Sequence, residues 1–393
     1  MKLRALNHQV PVKDKVVLVR IDGDVPIVKG TVQEGSMGRL THAAVTLQWL
    51  RQRGAKIVVL AHRGRPEGKR VAALSLAPVV KRLDQLLGGG VMLSKEMTGP
   101  RVEKKVGAME RGDILLLENT RFAPGEQADD KGLAAKWAAL GDMYVNNAFA
   151  VSHRAHASVH ALATLLPAYA GLRLMHEVTV LDRVRTKPRL PIVVVMGGAK
   201  VHTKIGTLRA FLKQGAILCV GGALAHAFFA AEGLEIGRSL LSKEDLPHAR
   251  DLLKRYRAQV ILPTDVVVTH AIRRRSPIRS VPISAIEKRD YIVDLGPETR
   301  KRFGAHIAAA KTLVWNGPLG LCEIPDFCEG TRSLVRKMGA MKGKARTIVG
   351  GGDTVPLLDA FGVANKFDLV STGGGAMMMF LAGEHLPGLE TLT

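Results

Sequence analysis

The sequence contains VVLVRI at residues 16–21 and KIVVLA at residues 56–61, and continuous apolar runs of this kind decide the fold. Six further runs follow: DILLLE (113–118), MYVNN (143–147), IVVVM (192–196), AILCV (216–220), TLVWN (312–316) and RTIVG (346–350). Because the apolar residues do not alternate with polar ones, the runs are typical of strands buried on both faces of a parallel sheet, with helices between them. Four runs precede residue 150 and four follow residue 190, which predicts an α/β protein with two lobes.

The length of 393 residues agrees with two to three domains of about 150 residues each. Between the two groups of runs, residues 170–187 keep a helical apolar spacing that breaks at Pro188 and Pro191. We therefore predict an N-terminal lobe at 1–170, a connecting helix at 171–188, a C-terminal lobe at 189–379 and a tail at 380–393.

The net charge is unusual, because the chain has 57 Lys and Arg residues but only 35 Asp and Glu residues, which gives +22. A balance this basic suggests an anionic partner. The excess is spread along the chain without a basic tail, its densest cluster being Arg273, Arg274, Arg275 and Arg279, and aromatic residues make up only 4%. Nucleic-acid binding as the main function is therefore disfavoured, although it stays open as an alternative.

The cysteines and the apolar stretches indicate a cytoplasmic protein. Three cysteines cannot form a disulfide framework and fit a reducing compartment, and their spacing does not suggest zinc. The N-terminal MKLRALNHQV predicts no signal peptide, and the longest apolar stretch, 216–231, is shorter than the ~20 residues of a membrane helix. We expect no membrane partner.

Cationic side chains follow each predicted strand of the first lobe. They are Arg20, then His62, Arg63 and Arg65, then Arg121, and after the fourth strand His153, Arg154 and His156, with Arg39 at the start of a helix. The carboxyl ends of parallel strands meet at one edge of a sheet, which is where ligands of such folds bind. Because arginine captures phosphate and carboxylate groups with two hydrogen bonds, this edge predicts a site for a small polyanion.

Glycine runs follow the predicted strands of the second lobe. They are Gly197-Gly198-Ala199-Lys200 with Lys204 one turn later, Gly221-Gly222, Gly317, Gly350-Gly351-Gly352-Asp353-Thr354 and Gly373-Gly374-Gly375. Glycine turns that enter helices present free N–H groups to phosphates, and Asp353 could hold Mg²⁺ through phosphate oxygens. Neither the GxxxxGK[ST] motif nor a GxGxxG fingerprint occurs, so we predict a nucleotide site of another kind. A nucleotide in the second lobe and an anion in the first predict phosphoryl transfer between them.

These residues resemble the phosphoglycerate kinase family from about residue 11 to the last few residues. The matching segments include VLVRIDGDVP, GAKIVVLAHRGRP, LLLENTRF, SHRAHAS, GGAKVHTKI, VWNGPLG, TIVGGGDT, STGGGA and HLPGLETL. The resemblance implies two Rossmann-like lobes that close about the connecting helix, with the tail returning to the first lobe. It also implies a monomer that moves a phosphoryl group reversibly between 1,3-bisphosphoglycerate with ADP and 3-phosphoglycerate with MgATP.

The resemblance also assigns residues to each ligand. For 3-phosphoglycerate these are Asp22, Asp24, Arg39, His62, Arg65, Arg121 and Arg154. For the nucleotide they are Gly198, Lys200, Lys204, Gly221, Gly222, Val293, Asn316, Pro318, Glu323, Gly352, Asp353 and Thr354, with Asp353 as the Mg²⁺ ligand. Arg39, Lys200, Lys204, Gly373 and Gly374 would act on the transferring phosphoryl group.

Some positions depart from the family pattern. Asp24 stands where the family usually has Asn, Asn147 where it has Asp, and Met379 where Glu is common. An additional carboxylate should weaken the binding of an anionic substrate unless a neighbour such as Arg63 offsets it. A divergent kinase of a different carboxylate, and a basic nucleic-acid-binding protein on the same fold, are therefore kept as alternatives.

Overall fold

A computed structural model describes residues 1–35, 37–198 and 201–393 of the chain. The chain forms two compact units. Unit 1 contains residues Met1–Val180 and His385–Thr393, and unit 2 contains Leu181–Glu384.

Unit 1 is built on a six-stranded sheet in which every neighbouring pair is parallel. Its strands are β1 (Val16–Arg20), β2 (Ile27–Val28), β3 (Thr31–Val32), β4 (Lys56–Leu60), β5 (Val91–Leu93), β6 (Ile114–Leu116), β7 (Met143–Asn146) and β8 (Ala168–Ala170). Six of them form the sheet in the order β5-β6-β4-β1-β7-β8, while β2 and β3 form a separate antiparallel pair. In this sheet Arg20 lies opposite both Leu60 and Asn146, so β1, β4 and β7 end at one edge.

The helices of unit 1 cover this sheet with apolar side chains. They are α1 (Arg39–Gln52), α2 (Ala77–Leu87), α3 (Pro100–Gly107), α4 (Lys131–Ala138), α5 (Ala161–Leu165) and α6 (Leu172–Thr186), the last of which continues into unit 2. Leu40, Leu47 and Leu50 of α1 are fully buried and belong to the same apolar cluster as Val17, Val19 and Ile57 of the strands. Burying side chains of this size contributes about 1.5–3 kcal/mol each, which fixes the strand ends in place.

Unit 2 has a second parallel six-stranded sheet and a smaller antiparallel one. Its strands are β9 (Ile192–Met196), β10 (Ile217–Val220), β11 (Val260–Ile261), β12 (Asp265–Thr269), β13 (Arg279–Pro282), β14 (Tyr291–Leu295), β15 (Thr312–Asn316), β16 (Arg346–Gly350) and β17 (Leu369–Ser371). The parallel sheet runs β11-β10-β9-β15-β16-β17, and the antiparallel sheet runs β13-β12-β14. Met196 lies opposite Val220 and Asn316, so the glycine turns that follow these strands share one edge.

Seven helices with their bounds inside the described part of the chain follow strands of unit 2. One further short helix lies in residues 385–393, which belong to unit 1. They are α7 (Ile205–Lys213), α8 (Ala223–Ala231), α9 (Asp245–Tyr256), α10 (Pro297–Ala309), α11 (Glu329–Gly339), α12 (Val355–Ala360) and α13 (Gly374–Ala382), with α14 (Pro387–Glu390) in unit 1. Within unit 1 the Arg4 amide donates to the Leu392 carbonyl at 2.7 Å, and the Asn146 side chain donates to the Gly388 carbonyl at 3.0 Å. Over the described residues, no helix combines the length and apolarity needed to cross a bilayer.

The predicted α/β class with two parallel sheets is confirmed, and all eight apolar runs form strands. The sequence did not predict β5, β8, β11 and β17, which are the edge strands of the two parallel sheets and have only two or three residues. It also missed the antiparallel sheet, because a continuous apolar run does not mark β13.

Candidate functional site

At the carboxyl edge of the unit 1 sheet, the buried residues Arg20 and His62 form a hydrogen-bonded pair. The Arg20 guanidinium is fully buried, donates to the Ser158 hydroxyl at 2.9 Å and lies 3.0 Å from Nδ1 of His62. Burial and the nearby cation hold the pKa of His62 well below its usual value, so the imidazole is neutral. Because an arginine only donates, Nδ1 accepts and Nε2 carries the proton, 3.9 Å from an Asp24 carboxylate oxygen.

Arg39, at the start of α1, is held by the loop that follows β1. Its Nε lies 3.2 Å from the Asp22 carboxylate, and its Nη1 donates to the backbone carbonyl of Asp24. Burial raises the pKa of Asp22, and the charge of Arg39 opposes that rise. The guanidinium therefore has a fixed position near the strand edge, although it remains partly exposed.

Further arginines crowd the same edge and repel one another. Burial and the neighbouring Arg154 and Arg20 lower the pKa of Arg121 to about 10. The pKa of Arg154 is lowered by burial and by Arg65. Asp24 raises both pKa values but does not reverse the shifts, so the arginines remain in excess at this edge. An excess of positive charge favours the binding of an anion.

The same cluster keeps its histidines uncharged. Burial and the arginines lower the pKa of His153 and of His156 to about 4. At neutral pH these imidazoles are therefore uncharged, with one nitrogen as a donor and the other as an acceptor.

Asp24 and Arg63 do not pair as the sequence analysis suggested. An Asp24 carboxylate oxygen accepts from the backbone amide of Gly64 at 2.9 Å. The Arg63 guanidinium donates to the carbonyls of Ala73 and Ser75, at 2.6 and 3.3 Å. In the described part of the chain Arg63 forms no ion pair with Asp24, because its guanidinium donates to backbone oxygens of the segment at 72–75.

Asn147, another departure from the family pattern, has a packing role. Its side-chain oxygen accepts from the Thr46 hydroxyl at 3.0 Å and from the Arg173 amide at 3.1 Å. It thereby ties the end of β7 to α1 and to the beginning of α6.

Unit 2 contains a cavity of about 490 Å³ at the edge where its glycine turns lie. Six of the residues predicted to bind the nucleotide line this cavity: Gly198, Gly222, Val293, Pro318, Glu323 and Asp353. Apolar side chains, including Phe229, Val266 and Leu319, make up much of the rest of the wall. A partly apolar cavity with a few polar groups is the usual form of a small-molecule site.

Gly222 cannot carry a side chain at this edge. Its φ is +61°, and a Cβ added there would lie 2.7 Å from the Pro318 carbonyl oxygen and 3.2 Å from the Gly198 amide nitrogen. The three turns therefore pack backbone against backbone. The Gly198 and Gly222 amides donate to the carbonyls of Pro318 and Leu319, at 3.1 and 3.0 Å, and so hold the turns together. Helix α8 starts directly after this glycine.

Lys204 and Asp353 place a cation and a carboxylate in the same region. Lys204 donates to the Gly197 carbonyl, and burial lowers the pKa of its ammonium to about 8, against the opposing charge of Asp353. Asp353 is exposed on the cavity wall and makes no hydrogen bond or ion pair within the described part of the chain. A free carboxylate beside a phosphate site fits a magnesium ion, which binds through one or two carboxylates and phosphate oxygens.

The other predicted residues of unit 2 surround these turns without lining the cavity. The Asn316 amide donates to the Gly350 carbonyl at 2.7 Å, and the Thr354 hydroxyl accepts from the Gly317 amide at 2.9 Å. Gly221 donates to Met196, Gly373 precedes α13, which begins at Gly374, and Gly352 is exposed. Lys200 lies outside the described residues.

One residue on the cavity wall was not predicted from the sequence. His226 lies in α8, five residues after Gly221, and a polar residue within the apolar stretch 216–231 was the available signal. Arg20, predicted among the cations of the first lobe, ends a buried strand.

A disulfide bond closes the segment that carries Glu323. It joins Cys322 to Cys328, six residues apart, while Cys219 is free and buried. The sequence analysis did not anticipate this pair, because no recognised spacing marks it.

Comparison with known proteins identifies the family. The sequence profile of phosphoglycerate kinase matches residues 7–384. A phosphoglycerate kinase of Thermomicrobium roseum is 42% identical over 384 residues, which cover 97% of both chains.

Solved structures agree with this match. A phosphoglycerate kinase of Coxiella burnetii superposes with a TM-score of 0.84 at 35% identity, over 100% of this chain and 99% of that one. A phosphoglycerate kinase of Pyrococcus horikoshii gives 0.88 at 25% identity, over 99% and 98%. With these matches over nearly its whole length, the chain belongs to the phosphoglycerate kinase family.

Proposed function

We propose that this chain transfers a phosphoryl group reversibly between 1,3-bisphosphoglycerate with ADP and 3-phosphoglycerate with MgATP. The observation that carries the proposal is the cluster of arginines in unit 1, where Arg154 lowers the pKa of Arg121 and Arg65 lowers that of Arg154. A molecule with a phosphate and a carboxylate would supply the negative charge that this cluster lacks.

For 3-phosphoglycerate, the arginines divide into two roles. Arg65, Arg121 and Arg154 would bind the phosphate, because their charges accumulate at one place. Arg39 would face the carboxylate that reacts, since Asp22 and the Asp24 carbonyl hold its guanidinium in position. His62 would donate a hydrogen bond from Nε2 to the substrate, because Arg20 fixes the tautomer in which Nε2 carries the proton.

For the nucleotide, the cavity of unit 2 offers an apolar wall for the base and glycine turns for the phosphates. Glu323 on the cavity wall would bind the ribose, and Val293 with Pro318 would pack on the base. Asp353 would hold Mg²⁺, which shields the charge of the phosphate oxygens.

The reaction then needs no covalent intermediate and no general base. The carboxylate of 3-phosphoglycerate is already a nucleophile, so the protein must align two anions and stabilise the charge of the transferring group. We assign that stabilisation to Arg39 and Lys204, helped by Lys200 and by the N–H groups of Gly373 and Gly374 at the start of α13. Each of these groups would act most strongly in the transition state.

The direct test is an assay of the purified protein with 3-phosphoglycerate and MgATP, in which ADP release is measured. We expect release that depends on 3-phosphoglycerate and saturates with it. Release that stays at the background level, with folded protein and both substrates present, would refute the proposed function.

The pKa of Lys204 predicts how activity depends on pH. Because burial lowers the pKa to about 8, the ammonium loses its proton as the pH rises through that value. We expect kcat to fall above about pH 8 in the wild type and to stay level to about pH 9.5 in Lys204→Arg, since arginine remains protonated. A pH profile of kcat for both proteins, at saturating substrates, measures this difference. The same decline in both would assign the titration to another group.

A second candidate function, the phosphorylation of a different carboxylate, is favoured by Asp24. Its carboxylate lies near the arginines, where it raises the pKa of Arg121 and of Arg154. A substrate with less negative charge, or with a hydroxyl that donates to this oxygen, would suit the site better than 3-phosphoglycerate does.

Asp24→Asn separates the two candidates. Asparagine keeps an oxygen for the Gly64 amide and removes only the charge, so we expect KM for 3-phosphoglycerate to fall about fivefold to tenfold. Asp113→Asn is the matched control, since Asp113 also accepts from a backbone amide, that of Glu110, away from the site. An unchanged KM in Asp24→Asn would show that the carboxylate does not oppose this substrate.

A further inference from the structure

His226 is a buried, polar side chain on the apolar part of the unit 2 cavity. It is 4% exposed and lines the cavity from the second turn of α8. It lies four residues after Gly222, which at 1.5 Å per residue is about 6 Å along the helix from the turn that faces the phosphates. A nucleotide with its phosphates at that turn would bring its base towards this histidine.

The tautomer of His226 is fixed by the protein. Its Nδ1 lies 2.8 Å from the carbonyl oxygen of Leu240, which can only accept, so Nδ1 carries the proton. Burial lowers the pKa of the imidazole to about 4, so the ring is neutral at physiological pH. Nε2 is therefore a hydrogen-bond acceptor, and it has no hydrogen-bond partner within the described part of the chain.

Two other polar side chains of the cavity wall, Ser239 and Asp294, accept hydrogen bonds from backbone amides. The Ser239 hydroxyl accepts from the Ile292 amide at 2.8 Å. The two oxygens of Asp294 accept from the amides of Leu295 and Gly330, at 2.9 and 2.7 Å. Nε2 of His226 is thus an acceptor on the cavity wall that the protein leaves available to a donor on a ligand.

We propose that His226 determines base specificity by accepting a hydrogen bond from the exocyclic amino group of adenine. A base with a carbonyl oxygen at that position, such as hypoxanthine or guanine, would place two acceptors against each other. This inference rests on the nucleotide site of the proposed function and adds to it the group that reads the base.

The test compares ADP with IDP, which differ in the 6-amino group and the adjacent ring proton. Titration calorimetry on the whole protein near neutral pH should show ADP binding at least about tenfold tighter than IDP. His226→Phe fills the same space without an acceptor, and we expect the ratio of the two dissociation constants to fall to about one, chiefly by weaker ADP binding.

Phe229→Leu is the matched control, since Phe229 lies on the same helix and the same wall but has no polar atom. It should weaken both nucleotides alike and keep their ratio. Equal binding of ADP and IDP by the wild type, an unchanged ratio in His226→Phe, or no binding of either nucleotide would overturn the proposal.

Binding also separates this inference from the proposed function. A protein that prefers ADP through His226 but does not phosphorylate 3-phosphoglycerate would support the role of His226 and refute the kinase assignment. A protein that phosphorylates 3-phosphoglycerate with ATP and ITP equally well would support the kinase assignment and refute the role of His226.

Discussion

Replacement of Lys204 by alanine should lower kcat by about a hundredfold to a thousandfold, while the dissociation constant of ADP changes by less than about fivefold. The ammonium is partly buried, donates to the Gly197 carbonyl of a glycine turn and interacts electrostatically with Asp353 on the cavity wall. Its positive charge therefore stabilises the transition state most, when negative charge spreads over the transferring phosphoryl group. Steady-state kinetics with 3-phosphoglycerate and MgATP, together with ADP titrations, measure the two quantities separately.

Lys213→Ala is the control for this variant, because Lys213 is an exposed lysine at the end of α7, the helix that begins directly after Lys204. It should leave both quantities unchanged. If Lys204→Ala weakened ADP binding as much as it lowered kcat, Lys204 would bind the ground state and would not act on the transition state.

Replacement of Arg39 by alanine should lower kcat/KM for 3-phosphoglycerate by about a hundredfold or more. Two effects combine in this variant. The guanidinium that we propose to face the reacting carboxylate is lost, and the buried Asp22 loses the cation that opposes the rise of its pKa. We therefore also expect a larger fraction of protonated Asp22, which the pH dependence of kcat/KM would report.

Arg101→Ala provides the comparison, since Arg101 is a strongly exposed arginine of the same unit whose ion pair with Glu96 lies at the surface. It should not change kcat/KM. A rise in KM alone in Arg39→Ala, with kcat intact, would limit Arg39 to substrate binding.

The sequence predicted the central strands well because their signal is local. Runs such as IVVVM and TLVWN are buried on both faces, and β9 and β15 contain them fully. Edge strands such as β5 and β8 have three residues and depend on their neighbours for their conformation, so a pattern in the sequence does not reveal them.

The candidate sites could be predicted in outline because their residues follow the strands directly. The details depend on contacts between distant segments. The direction of Arg63 is set by carbonyls at 73 and 75, and the tautomer of His226 by the carbonyl of Leu240, fourteen residues away. Neither contact leaves a mark in the spacing of the sequence.

The net charge of +22 exceeds what these sites use. Exposed basic residues elsewhere, such as the run Arg273-Arg274-Arg275, lie outside the arginine cluster of unit 1. They contribute to the overall field that attracts anionic substrates, an effect that salt screens over about 10 Å.

The pairing of Arg4 with Leu392 and of Asn146 with Gly388 has a consequence for biosynthesis. During translation, unit 2 emerges as one continuous segment and can fold as soon as it leaves the ribosome. Unit 1 has to wait for residues 385–393, which follow residue 180 only after roughly 200 further residues, or about 10–40 s of synthesis. Until then the contacts of residues 385–393 with β7 and with the segment around Arg4 are missing. The N-terminal part of the chain is thus made first and completed last.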